Sequence, residues 1–202
     1  LKEDGTALIR SFYFKRSEVT IHHEWNAMGL KATASHSYSV NKLNVKAARS
    51  FLIDAAYATL KHPIYSYPFM PLAETTLAVN TLGITQHLLH ESAVVFAQKQ
   101  LNSVAFQQAD AALQTARQEI SKMRTAFYNI VEQSWNELIS KKKISVKTTR
   151  QISSVSRQLV KLCRKHATEV YPYCGLASTA ETSTLNRVFR DLFTASQHAL
   201  LT

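Results

Sequence analysis

The sequence predicts a mainly α protein: a C-terminal four-helix bundle preceded by the remainder of an antiparallel β-domain. Three observations carry that prediction. Three of the four prolines, Pro63, Pro68 and Pro71, fall within nine residues, and only Pro172 follows them. From Pro71 onward, apolar residues recur at spacings of three and four, the period of a helix face. Before residue 46, short apolar runs alternate with polar residues, the period of a strand.

The elements follow in order. Residues 7–14 and 18–25 read as strands, the second alternating Val19, Ile21 and His23 with Glu18, Thr20 and His22. Gly5 and Lys15-Arg16-Ser17 supply turns, and Gly29 ends the second strand. A third strand is expected from about Ser37 to Val45. Three strands make a thin sheet whose edges need partners. Residues 1–48 are therefore read as the end of a larger β-domain. Leu1 is not an initiator Met, which fits a sequence that begins partway through a longer protein. Residues 49–70 form a connector, because dense prolines stop regular structure. Residues 71–202 are the bundle.

Pro71 suits the first turn of a helix, along which Ala73, Leu77, Asn80, Ile84 and Leu88 keep one face. Gly83 costs that helix about 1 kcal/mol relative to Ala, which a close helix crossing would justify. The next helix carries Phe106, Ala109, Leu113, Ala116, Ile120, Met123, Phe127 and Ile130, a seam for shallow helix packing. Lys141-Lys142-Lys143 ends it on the side that the helix dipole favours. Ser145 caps a third helix, whose buried face is Ile152, Val155, Leu159, Leu162 and His166. Thr182 or Ser183 caps the fourth, expected to run to Leu201.

Composition narrows the function. The chain has 202 residues, 46% of them hydrophobic, with a formal charge of +10. The charge is spread along the helices without a nucleic-acid-binding motif, so nucleic acid is not the expected partner. A basic pocket for a phosphate-bearing cofactor uses the same charge. No apolar run is long enough to span a membrane. Cys163 and Cys174 fit a reducing compartment, and a cytoplasmic location is expected. The four glycines form no phosphate loop. His22 and His23 are adjacent on a strand and face opposite ways. His87, His90 and Glu91 share a helix face but lack a metal-binding motif, so no metal site is expected.

The fourth helix has the most unusual pattern. Leu185, Val188, Phe189, Leu192, Ala195, Ser196 and Ala199 make its apolar stripe. Arg187, Asp191, Thr194 and His198 fall at i, i+4, i+7 and i+11 on the other side, with Arg190 beside them. These groups hydrogen-bond with fixed geometry. An exposed helix with one Arg–Asp pair would also account for them.

Leu185-Asn-Arg-Val-Phe-Arg-Asp-Leu-Phe-Thr-Ala-Ser-Gln-His198 resembles the last helix of the acyl-CoA dehydrogenase superfamily. It is most similar to the branch of flavin-dependent two-component monooxygenases, with its Arg-x-x-Arg-Asp and a His seven residues on. Trp25-Asn-Ala-Met-Gly-Leu-Lys-Ala-Thr-Ala-Ser35 resembles the end of that family's middle β-domain. The resemblance implies a flavoprotein oxidoreductase, a flavin cofactor (FAD or FMN), a homotetramer built through the bundle, a small-molecule or acyl-CoA substrate and a flavin reductase partner. It places Thr33 and Ser35 near the flavin ring. Arg187 and Arg190 are candidates to pair with a cofactor carboxylate or phosphate, oriented by Asp191, or to form an intersubunit ion pair. His198 is the candidate catalytic residue, a hydrogen-bond donor or acid/base beside the reacting flavin.

Two departures matter. A dehydrogenase needs a carboxylate to take the α-proton of its thioester, and no Glu or Asp follows Asp191. This favours the monooxygenase branch over an FAD-dependent acyl-CoA dehydrogenase. The family's N-terminal helical domain also has no counterpart, which leaves a non-catalytic helical oligomerisation module as the alternative of a different class.

Overall fold

The computed structural model describes residues 9–98 and 104–201. Its β-part holds four short strands: β1 (Ser11–Phe12), β2 (Thr20–His22), β3 (Ser37–Ser39) and β4 (Ser50–Phe51). They form two separate antiparallel ladders. β1 pairs with β4, Ser11 opposite Phe51, and β2 pairs with β3, Ile21 opposite Tyr38. Arg49 joins the two: its guanidinium pairs with the Glu18 carboxylate and donates to the Tyr13 carbonyl. All three expected strands are present but shorter than predicted. The third ends at Ser39, which pairs with Thr20, the first residue of β2, and Lys42 beyond it takes a left-handed φ of 44°. Residues 7 and 8, where the first was expected to begin, lie outside the described residues, as does Gly5.

Four helices follow: α1 (Phe69–Gln98), α2 (Val104–Lys141), α3 (Val146–Val170) and α4 (Thr184–Ala195). Glu119 meets His166 and Glu137 meets Ser145, so α2 and α3 run antiparallel. Ser153 meets Glu74 and Cys174 meets Ser92, so α1 and α3 lie side by side in one direction. α4 packs on α1. Ser145 caps α3 and Ser183 caps α4, each accepting a backbone N–H through its hydroxyl.

The predicted α2 seam holds. Ala109, Leu113, Ala116, Ile120, Phe127 and Ile130 are buried, with Phe106 and Met123 half-buried. In α3, Ile152, Leu159 and His166 are buried, with Val155 and Leu162 half-buried. Each large apolar side chain so buried contributes about 1.5–3 kcal/mol.

The α1 face differs from its prediction. Of the expected stripe only Leu88 is buried. Besides Leu88, the buried residues are Pro71, Glu74, Thr75, Ala78, Thr81, Leu82, Thr85, Leu89, Ser92 and Phe96. α1 touches all three other helices, so burial is not confined to one stripe. Its buried hydroxyls are satisfied within the helix: Thr81 donates to the Leu77 carbonyl, Thr85 to Thr81 and Ser92 to Leu88, all at 2.8–2.9 Å. Gly83 is also a correction. It is exposed, and a Cβ there would meet nothing within 4 Å, so no helix crossing explains it.

α4 stops at Ala195, short of the predicted Leu201. Ser196 caps it, and 196–201 form turns that bring Leu201 into the core. Ala199 and His198 are therefore not on the helix, and both are exposed. Cys163 and Cys174 are both buried, and neither is part of a disulfide among the described residues. No helix among the described residues is long and apolar enough to cross a membrane.

Candidate functional site

The loop after β2 docks on the polar face of α4, across more than 160 residues of sequence. The Gly29 N–H donates to Thr194 Oγ1 at 2.9 Å, and the Leu30 N–H donates to Asp191 Oδ1 at 2.6 Å. Arg190 Nη1 donates to the Met28 carbonyl at 3.0 Å. Two successive amides thus meet two side chains one helical turn apart. Residue 29 must be glycine for a steric reason: an added Cβ would lie 2.1 Å from the Arg190 carbonyl oxygen and 2.5 Å from the Asp191 nitrogen. Leu30 holds a left-handed conformation, φ 53°. Its carbonyl accepts from the Trp25 indole at 3.0 Å, and from the Thr33 hydroxyl and N–H at 2.8 and 3.1 Å.

This arrangement corrects one expectation. Among the described residues no ion pair joins Asp191 to an arginine; its carboxylate receives the Leu30 amide. The face that looked like a ligand-binding row is in part an internal clamp. Arg190 is split between the two roles. Its Nη1 serves the clamp, while its buried Nε has no hydrogen-bond partner among the described residues. A buried unpartnered donor is costly, and a carbonyl or phosphate oxygen of a ligand would satisfy it.

Thr33 and Ser35 lie on the exposed turn beyond the clamp. Their hydroxyl oxygens are 3.1 Å apart. Thr33 gives its hydrogen to the Leu30 carbonyl, so Ser35 donates to Thr33 and keeps lone pairs for an outside donor. His198 sits at the other end of the clamp, four residues past Thr194. Its Nδ1 accepts the Leu200 N–H at 3.2 Å. That contact leaves the proton of the neutral ring on Nε2.

Arg187 lines an open groove of about 700 Å³ between α1 and α4, with Asn80, Gly83, His87 and Asp191 around it. His87 pairs with Glu91 at 3.5 Å, while His90 faces a different hollow beside Arg117 and Arg124. His22 bonds Ser39 and His23 packs on the His36 ring, so the two adjacent histidines do part company.

Sequence reasoning missed Glu74 and Arg157. Glu74 is 3% exposed, and the Ser153 hydroxyl and Arg157 Nη2 donate to its carboxylate. The available signal was Ser153 and Arg157 at i and i+4 on α3, facing a carboxylate in the first turns of α1.

Comparison with known proteins agrees with this architecture. The chain is 25% identical over 210 residues to indole-3-acetate monooxygenase of Pseudomonas putida, an alignment covering 98% of this chain and 52% of that protein. The chain spans about half the length of the curated relatives it matches. The crystal structure of 3-HSA hydroxylase from Rhodococcus sp. RHA1 superposes with a TM-score of 0.84 at 16% identity, covering 98% of this chain and 55% of that one. XiaF from Streptomyces sp., solved in complex with FADH2 and glycerol, gives 0.67 at 19% identity, covering 96% and 52%. These two likenesses concern the fold. Residues 75–202 match the family described as acyl-CoA dehydrogenase, C-terminal domain, and the chain belongs to that family.

Proposed function

We propose that this chain is the C-terminal part of a flavin-dependent monooxygenase of the two-component kind. The observation that carries the reading is the clamp. It joins the loop whose next turn bears Thr33 and Ser35 to the helix whose next turn bears His198. The monooxygenase relative and the FADH2-bound fold neighbour support the same reading.

The residues fit a flavin. Arg190 Nε is a buried donor in want of an acceptor, Ser35 offers lone pairs, and Arg187 is an exposed cation on the adjoining groove. A bound reduced flavin would supply the electrons that activate dioxygen. The chain's residues would bind and orient it: Ser35 accepts a ring N–H, Arg190 and Arg187 meet oxygens, and His198 offers its Nε2 proton. FAD and FMN both fit this donor set. An aromatic acid of the indole-3-acetate kind is the substrate class that the relative suggests. A homotetramer, a partner flavin reductase and a cytoplasmic setting belong to the same proposal, as do the boundaries 1–48, 49–70 and 71–202.

Titration with oxidised and reduced FAD and FMN, followed by flavin fluorescence, tests the site. Saturable binding is the expected result. A folded, oligomeric sample that binds neither would instead mark a helical assembly module. With a flavin reductase and indole-3-acetate as probe, His198→Ala should lower kcat on the order of a hundredfold or more. Unchanged turnover removes His198 from the mechanism.

A further inference from the structure

The turn that bears His198 lies beyond α4, and its anchorage comes from elsewhere in the bundle. The Leu201 N–H donates to the His198 carbonyl at 2.8 Å. The carbonyl of that same Leu200–Leu201 peptide accepts from Arg157 Nε, on α3, at 3.3 Å. Arg157 Nη2 is held in turn by Glu74 Oε1 at 3.1 Å. Glu74 is buried at the start of α1 and fixed by the Ser153 hydroxyl at 2.5 Å. The Leu201 side chain, 5% exposed, plugs into the core beside this chain of contacts.

We infer that Arg157, steered by Glu74, is a positioning residue for His198. Its grip on the Leu200–Leu201 peptide fixes the turn in which the Leu200 N–H faces His198 Nδ1. A backbone N–H can only donate, so Nδ1 must be the bare nitrogen and Nε2 the protonated one. Arg157 suits this task because its planar fork spans two acceptors at once, a carboxylate and a peptide carbonyl. Glu74 suits it because a buried carboxylate bonded from two sides does not wander. The inference rests on the reading of His198 as the proton donor of the flavin site, but its structural half stands apart from that reading.

The test uses the full chain labelled with 15N-histidine. Loss of one ring signal in His198→Ala assigns that residue. The wild type should show His198 as the Nε2–H tautomer. Arg157→Lys keeps the positive charge opposite Glu74 but cannot hold two acceptors in a plane. It should therefore leave the melting temperature close to wild type while His198 shifts to mixed tautomers. Arg157→Ala should do the same where it folds. With a reductase and substrate, Arg157→Lys should lower kcat by roughly tenfold to a hundredfold with KM little changed. It should add nothing to His198→Ala. A His198 tautomer unaltered in Arg157→Lys overturns the inference whatever the activity. A lost tautomer preference combined with full activity in His198→Ala would uphold the positioning and remove instead the catalytic reading of His198.

Discussion

Gly29→Ala tests the clamp directly. Among the described glycines only Gly175 has a positive φ, so alanine at position 29 meets no left-handed backbone penalty. The obstacle is space. The new methyl would lie 2.1 Å from the Arg190 carbonyl oxygen, against an ordinary contact of 3.4 Å or more. The loop must retreat by over about 1 Å, because α4 cannot: Leu185, Val188 and Leu192 fix it in the core. A retreat of that size takes hydrogen bonds of 2.9 and 2.6 Å out of bonding range. The Arg190–Met28 bond goes with them, and one neutral and two charge-assisted bonds contribute about 3.5 kcal/mol at the low end of their range, the suitable end for partly exposed contacts. Restricting the unfolded chain returns about 0.4–1 kcal/mol. The net loss should be roughly 2–3 kcal/mol. Urea unfolding gives the total, and hydrogen exchange at the Leu30 amide locates it. An alanine variant of wild-type stability whose Leu30 amide stays protected would refute the clamp.

Three other outcomes follow from the same structure. Gly83→Ala, at an exposed helix position with open space around it, should stabilise by up to about 1 kcal/mol in thermal or urea unfolding. Glu137 is held at about 2, below its ordinary value near 4.5, chiefly by the Ser145 N–H and then by the Thr148 hydroxyl. Its contribution is therefore complete above that ordinary value and is lost as pH falls toward about 2. Wild type and Glu137→Gln should differ most near neutral pH in denaturation midpoint and converge in acid. Burial pushes the Cys163 thiol up to about 11. Native protein should label slowly with a thiol reagent at pH near 8 and rapidly once unfolded, since the thiolate is the nucleophile.

How much of this was legible in the sequence depended on how many neighbours each element has. α2 packs along one side, so its seam could be read residue by residue from Phe106 to Ile130. α1 is enclosed by three helices, and its buried positions include threonines and a serine that return their hydrogen bonds to their own helix. Polarity therefore misreported burial there. The fourth helix showed its two faces clearly but not its end, because Ser196 caps it through the backbone. The conjunction of Gly29 with the Arg190–Thr194 face was beyond any local pattern. The resemblance named both stretches without showing that they touch. Asp191 looked like an arginine-orienting carboxylate because its true partner is a backbone amide, which carries no residue identity.

The clamp also bears on the order in which the molecule assembles. Its bonds close a loop of 161 to 165 residues, whereas the contacts of α2 with α3 form across a four-residue turn. Closing the longer loop costs more chain entropy, and nothing rewards it until α4 already lies on α1. The β-part should therefore dock late, onto a finished helical platform. A lesion at Gly29 would then hasten unfolding while leaving the refolding rate nearly untouched.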